Sequence, residues 1–202
     1  MKRKFHAQFL GGCGRVNRPH LPGALCVMAT GRSNQITKQI GEYLVASALG
    51  RIGLVAATFS GNVPEYDIIA TDSAFRSIPV QVKASNSSRW QFDNRHFVEI
   101  HLDGKRQVLG RPVPLPDNLV CVFVALSPQY GADRFYIMSL TALQKQVITG
   151  CRSYLARFGG VRPKKFDSFH GAISEVDIAQ YKDAWISEFR DRQGMTIHDP
   201  SA

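Results

Sequence analysis

Apolar positions first recur at helical spacing at Ile36, Ile40, Tyr43, Leu44 and Ala48, behind Ser33 or Asn34 as an N-cap and ahead of Gly50 or Gly53, either of which can close a helix. This predicts a helix over about residues 35–50. Residues 52–59 form a short apolar run rich in small and β-branched side chains, stopped by the turn-forming Ser60-Gly61-Asn62, and read as a first strand. Residues 66–70 and 78–84 read as two further strands. The polar connection 71–77 between them makes an antiparallel hairpin the simplest pairing. Pro79 has no N–H for a ladder and must lie near a strand start or beside an unpaired position. After a polar stretch at 85–94, residues 97–102 form a candidate strand and 106–116 a basic, proline-bearing loop. Residues 119–126 are apolar at every position, the pattern of a central strand covered on both faces. Residues 134–138 read as its partner strand, and Ser139 as the cap of a helix to about 149. A last amphipathic helix is predicted over about 174–190, presenting Val176, Ile178 or Ala179, Tyr181, Trp185 and Phe189. The four-residue step from Tyr181 to Trp185 is a packing device.

Composition changes this picture in two respects. The 202 residues, 44% of them hydrophobic, suit one α/β domain, predicted to span 34–190, with a disordered segment at 1–33 and a flexible tail at 191–202. Met28 reads like a natural start, so Met1 and Met28 both stand as candidate start residues. Twenty-five Lys and Arg against sixteen Asp and Glu give a formal charge of +9, which favours a polyanionic partner through long-range attraction and counterion release. The same excess also suits an ordinary solvated basic surface. Cys13, Cys26, Cys121 and Cys151 form no zinc-type spacing, and the histidines show no metal-ligand spacing. No apolar run approaches the length needed to cross a bilayer, and Lys2-Arg3-Lys4 is followed by no hydrophobic segment, so a cytoplasmic location is expected.

The chemistry worth testing lies in the first half. Gln81 and Lys83 are two apart on one predicted strand and leave the same face, with Ser85 continuing the row. A hairpin centred near Ala74 would bring Asp67 opposite Gln81. Glu42 shares its helical row with Val45, Ala46 and Leu49, which turns it inward. Carboxylate and amide oxygens beside an ammonium are what metal-assisted phosphodiester hydrolysis needs: oxygen ligands for a hard dication and a cation that orients the attacking water. Taken singly, each residue has a plain alternative: Asp67 as a turn acid, Lys83 as edge protection, Glu42 as a surface charge.

In order, Gly41-Glu42, the apolar strand, Ser60-Gly61, Tyr66-Asp67-Ile68-Ile69 and Val80-Gln81-Val82-Lys83-Ala84-Ser85 resemble the PD-(D/E)xK nuclease superfamily, and within it Holliday junction resolvases and intron-encoded homing endonucleases. The match covers under half the chain. The resemblance implies a restriction endonuclease-like αβββαβ core, a mixed central sheet flanked by helices. It also implies a Mg²⁺ or Mn²⁺ cofactor, DNA as partner, a homodimer as one form of assembly, and endonucleolytic cleavage. Carried over by position, Asp67 is the principal metal ligand, Gln81 and Glu42 complete the metal shell, and Lys83 acts on the water or the scissile phosphate. Gln81 departs from the family's Glu or Asp and takes one negative charge from a site that binds by charge and oxygen count.

Beyond that set, Ser85, Arg89 and Trp90 could contact phosphates or stack on an unpaired base, or Trp90 could turn into the core. Lys105, Arg106 and Arg111, with Arg162, Lys164 and Lys165, are further candidate phosphate contacts or simply solvated charges.

Overall fold

The computed structural model describes residues 31–59 and 65–198. Its centre is a five-stranded mixed sheet in the order β1-β2-β3-β7-β8. The strands are β1 (Val55–Thr58), β2 (Ile68–Thr71), β3 (Ser77–Ser85), β7 (Val120–Ala125) and β8 (Arg134–Ser139). β7 is parallel to β3 and every other pairing is antiparallel. All six residues of β7 are buried, as its unbroken apolar run predicts for a strand with layers on both faces.

The two layers draw on alternate residues of the same strands. On one face, α1 (Gly31–Arg51) lays Val45 and Leu49 against Ile68, Val80, Val82, Val120, Val122, Val124 and Ile137, and Phe189 and Met195 close the cluster. On the other, α2 (Leu140–Arg157) sets Leu140, Leu143 and Val147 against Cys121, Phe123, Tyr136 and Met138. Ser139 caps α2 by accepting from the Ala142 N–H. This mixed sheet between helical layers is the architecture expected.

Several local expectations are corrected. α1 is longer than predicted, so Ser33 and Asn34 lie within it rather than at its cap, and Gly53 at φ 84° turns the chain out towards β1. The turn at Ser60-Gly61-Asn62 lies outside the described residues. The crossover from β3 to β7 carries no α-helix, only a 3₁₀ turn at Asn94–His96. The supposed polar stretch contains β4 (Arg89–Asp93), which pairs with the unpredicted β9 (His170–Ser174), and the supposed basic loop is largely β6 (Arg106–Pro112), folded back on β5 (Val98–Asp103) through Gly104 at φ 57°. Asp103-Gly104 is a strong hairpin signal, which the prolines obscured. Pro79 is third in β3 and precedes the β7 ladder, which starts at Val80, so its missing N–H leaves no partner short.

The last helix is not continuous. A 3₁₀ segment at Glu175–Tyr181 and a π-helical segment at Ser187–Arg192 are separated by an extended Lys182 and by Asp183 at φ 51°. Tyr181 belongs to the α2-side cluster, whereas Trp185 and Phe189 belong to the α1-side cluster. One straight helix would hold all three on one side; instead the chain passes around the β8 edge, bridging Tyr136 at Lys182, and serves both layers. Nor is the stretch after 190 a free tail as far as residue 198. Met195 is buried, Thr196 N–H donates to Asp72 Oδ2, and His198 N–H donates to the Ile52 carbonyl.

Candidate active site

β3 has nine residues and β2 only four, so the far half of β3 is paired with β7 alone. The hairpin register pairs Ile68 with Val80, which centres the turn on Ala74 and brings Asp67, one step beyond, opposite Gln81. Asp67 has left the ladder but not the strand: its N–H donates to the Val80 carbonyl at 2.9 Å, and its Oδ2 accepts the Val82 N–H at 2.8 Å. A side chain thus stands in for the missing strand at the point where β3 outruns β2. The other oxygen, Oδ1, is held by Lys38, and Asp67 lines a pocket of about 440 Å³.

Asp67, Gln81, Lys83 and Ser85 line that pocket, with Lys38 and Thr37 of α1 on one rim and Arg89 and Trp90 of β4 on the other. Alternation along β3 separates its roles. Val80 and Val82 are buried towards α1, while Gln81, Lys83 and Ser85 are half-buried on the opposite row. Lys83 Nζ lies 5.3 Å from the centroid of the Phe92 ring, an aromatic face that steadies an ammonium. Asn86 Nδ2 donates to Thr37 Oγ1 at 3.1 Å, tying the β3–β4 turn to α1 across the rim.

Glu42 joins the group indirectly. The Lys38 ammonium lies 3.0 Å from Asp67 Oδ1 and 3.4 Å from Glu42 Oε1, so the two carboxylates meet at one cationic nitrogen. Both acids are mostly buried, with side chains 11% and 13% exposed, while Lys38 is 45% exposed. Burial raises the Glu42 carboxyl above its ordinary range, outweighing the nearby ammonium. The hydrogen bond to Asp67 raises the Lys38 ammonium. The helix comes this near because Gly41 has no side chain: a Cβ there would lie 2.5 Å from the Ala84 Cβ. Lys38 is the residue the sequence reading missed. Its i, i+4 spacing to Glu42 was the available signal, and that spacing also describes an ordinary surface pair.

The other predicted contacts divide. Ser85 and Arg89 are at the pocket. Trp90 also borders it but is only 3% exposed and packs edge-on against Phe123 and Tyr136, so it serves the core and has no free face for a base. Arg134 braces the start of β4, donating to Ser88 Oγ and holding Glu175 at 2.7 Å. Lys105 and Arg106 lie at the tip of the β5–β6 ribbon and do not line the pocket. Among the described residues no group of three or more His, Cys, Asp or Glu is placed to share a metal ion. The oxygens that could hold a hard dication are the carboxylates of Asp67 and Glu42, the Gln81 amide, and the carboxylate of Glu65, which also lines the pocket.

The fold and pocket define a mixed α/β domain with an acid, an amide and a lysine at the end of a split sheet. No family model matches the chain, and no curated protein does. A solved structure of a bacterial homing endonuclease, I-Ssp6803I, is similar at 14% identity and a TM-score of 0.46, over 80% of this chain and 97% of that one. Among the described residues no helix is long and apolar enough to cross a membrane.

Proposed function

We propose that this protein is a divalent-metal-dependent DNA endonuclease, with Asp67, Gln81 and Glu42 as the oxygen donors and Lys83 beside the attacking water. The observation that supports it most is that Asp67 Oδ1 and Glu42 Oε1 already share one cation, the Lys38 ammonium, in the pocket that Gln81 and Lys83 also line. Two anionic donors and one neutral donor fit Mg²⁺, which keeps several of its own waters and takes only part of its shell from protein. Bound there, the metal would supply Lewis-acid stabilisation of the phosphate and acidify a water. Val82 N–H holds the Asp67 carboxylate in one orientation, Lys83 positions the water or the scissile phosphate, and Ser85 and Arg89 at the rim engage neighbouring phosphates.

Purified protein is incubated with duplex, branched and single-stranded DNA in Mg²⁺ or Mn²⁺. Asp67→Asn and Lys83→Met should each slow cleavage by about 10²–10⁴-fold while melting like the parent. Absence of cutting on all three substrates by the parent protein refutes the enzymatic reading for them.

One observation favours a second reading, a nuclease-like fold that only binds nucleic acid. With Gln81 in the row, Asp67, Glu42 and Glu65 face Lys38, Lys83 and Arg89, which leaves no excess negative charge for a dication. That reading requires binding which weakens steeply with salt and ignores EDTA.

A further inference from the structure

The pocket carries its own counter-cation at the point where its carboxylates converge. Val82 N–H occupies Asp67 Oδ2, which leaves Oδ1 for a cation, and Oδ1 is the oxygen that Lys38 holds. The same nitrogen holds Glu42. Glu42 and Asp67, with Glu65 also lining the pocket, face Lys38, Lys83 and Arg89, so a dication entering with Lys38 in place would meet a pocket with no excess negative charge. Lys38 is able to leave. It stands on the first turns of α1 at the pocket rim, half exposed on a flexible four-carbon stem.

We propose that Lys38 competes with the divalent metal for Asp67 and Glu42, and that on displacement its ammonium swings to the pocket mouth, where a backbone phosphate can take it up. The proposal rests on the metal-site reading above and adds to it a residue that sets the affinity of that site. Two consequences follow. Without nucleic acid, Lys38 keeps metal affinity low and holds the two acids together. With a polyanion at the mouth, the displaced ammonium gains a partner, so metal and DNA each tighten the other's binding.

The test measures Mn²⁺ binding to the full chain without DNA, by the electron paramagnetic resonance signal of free Mn²⁺. It compares the parent, Lys38→Met, Lys38→Gln and Lys38→Arg, with Asp67→Asn as the blank and melting in EDTA as the check on folding. Relief of a half-exposed, solvent-screened charge should tighten Mn²⁺ about tenfold in Lys38→Met and Lys38→Gln, and leave Lys38→Arg near the parent. Each melting temperature should also rise more with Mn²⁺ in the two neutral variants than in the parent. A purely structural ion pair would lower their stability in EDTA without changing Mn²⁺ affinity. Equal or weaker Mn²⁺ binding by both neutral variants overturns the role of Lys38 even if the parent cleaves DNA. No Mn²⁺ bound by any variant overturns this role and the metal-site reading together.

Discussion

Gly41→Ala tests how closely the site depends on the approach of α1 to β3. The new Cβ would sit 2.5 Å from the Ala84 Cβ, 3.5 Å from Val82 Cγ1 and 3.6 Å from the Ala84 Cα. Carbon atoms rest at about 3.5–4.0 Å, so the first contact must open by roughly 1 Å, and Ala84 has no rotamer through which to yield. Helix or strand has to move. Overpacking of this kind costs about 1–3 kcal/mol, while replacing a helical glycine by alanine returns about 1 kcal/mol. The net loss is therefore about 0–2 kcal/mol, a fall in melting temperature of up to about 8 °C for a domain of this size.

The effect on the site should be larger than the effect on stability. Lys38 and Glu42 flank Gly41 on α1, whereas Asp67 and Lys83 belong to the sheet, so any retreat of the helix separates the two halves. A misplacement of about 1 Å can cost on the order of 10²-fold in rate. Ala84→Gly removes the obstructing methyl, and the pair Gly41→Ala with Ala84→Gly completes a double-mutant cycle. Thermal melts and Mn²⁺ binding on the four proteins should give a favourable coupling of about 0.5–3 kcal/mol in stability, with recovery of Mn²⁺ affinity in the double variant. A Gly41→Ala protein that melts at or above the parent temperature and binds Mn²⁺ equally well would refute the reasoning.

Burial raises the Glu188 carboxyl and outweighs the opposing pull of Arg192, whose Nε lies 3.7 Å from an Oε2 that accepts no hydrogen bond. An acid raised in the fold is penalised once the unfolded chain ionises, so the penalty is absent below the ordinary glutamate range and grows as pH rises through it. Glu188→Gln should accordingly raise the melting temperature at pH 7 and have no such benefit at pH 4. Asp72 is held down to about 2, first by the Thr196 N–H and then by Arg76 N–H and guanidinium, against the opposing effect of burial. Its contribution is present above the ordinary aspartate range and fades as pH falls through about 2. Asp72→Asn should therefore lower stability at pH 7, lose that difference near pH 2, and speed hydrogen exchange at the Thr196 amide. If Lys105 and Arg106 touch phosphates, replacing both by Gln should reduce the slope of log K against log salt by about 1 for each, whatever the DNA sequence. An unchanged slope places DNA elsewhere on the surface.

What was legible in the sequence was whatever a local period controls. The continuous apolar run of β7, the helical spacing of α1 and the symmetric spacing of Asp67 and Gln81 about Ala74 each need only neighbouring residues to be interpreted. β4 and β9 are different. They pair across about eighty residues, and the alternation of Trp90 and Phe92 was masked by the hydroxyl-rich residues before them. The step from Tyr181 to Trp185 has the spacing of a helix, yet the two rings serve opposite faces of the sheet, a demand that only the tertiary structure makes. Lys38 was missed for a related reason. A Lys–Glu pair at i, i+4 announces a helix surface, and nothing near it along the chain says that Asp67 will arrive as a third member.

The arrangement at Asp67 also decides how its chemistry can be tested. Its Oδ2 satisfies the Val82 N–H where β3 has lost β2 as a partner, so Asp67→Ala removes an anionic oxygen and orphans a buried donor in one step. An unsatisfied buried donor costs about 1–3 kcal/mol, enough to let the end of β3 relax and carry Gln81 and Lys83 out of register. Loss of activity in that variant would say nothing about metal or charge. Asp67→Asn keeps a carbonyl oxygen for Val82 N–H and removes only the charge offered to Lys38 or to a metal. Comparison of the two separates the roles. Asn should melt within about 1 kcal/mol of the parent yet lose Mn²⁺ binding, whereas Ala should lose both. If Asn keeps Mn²⁺ affinity, the negative charge of Asp67 is not what gathers cations in this pocket, and its residence beside β3 is structural.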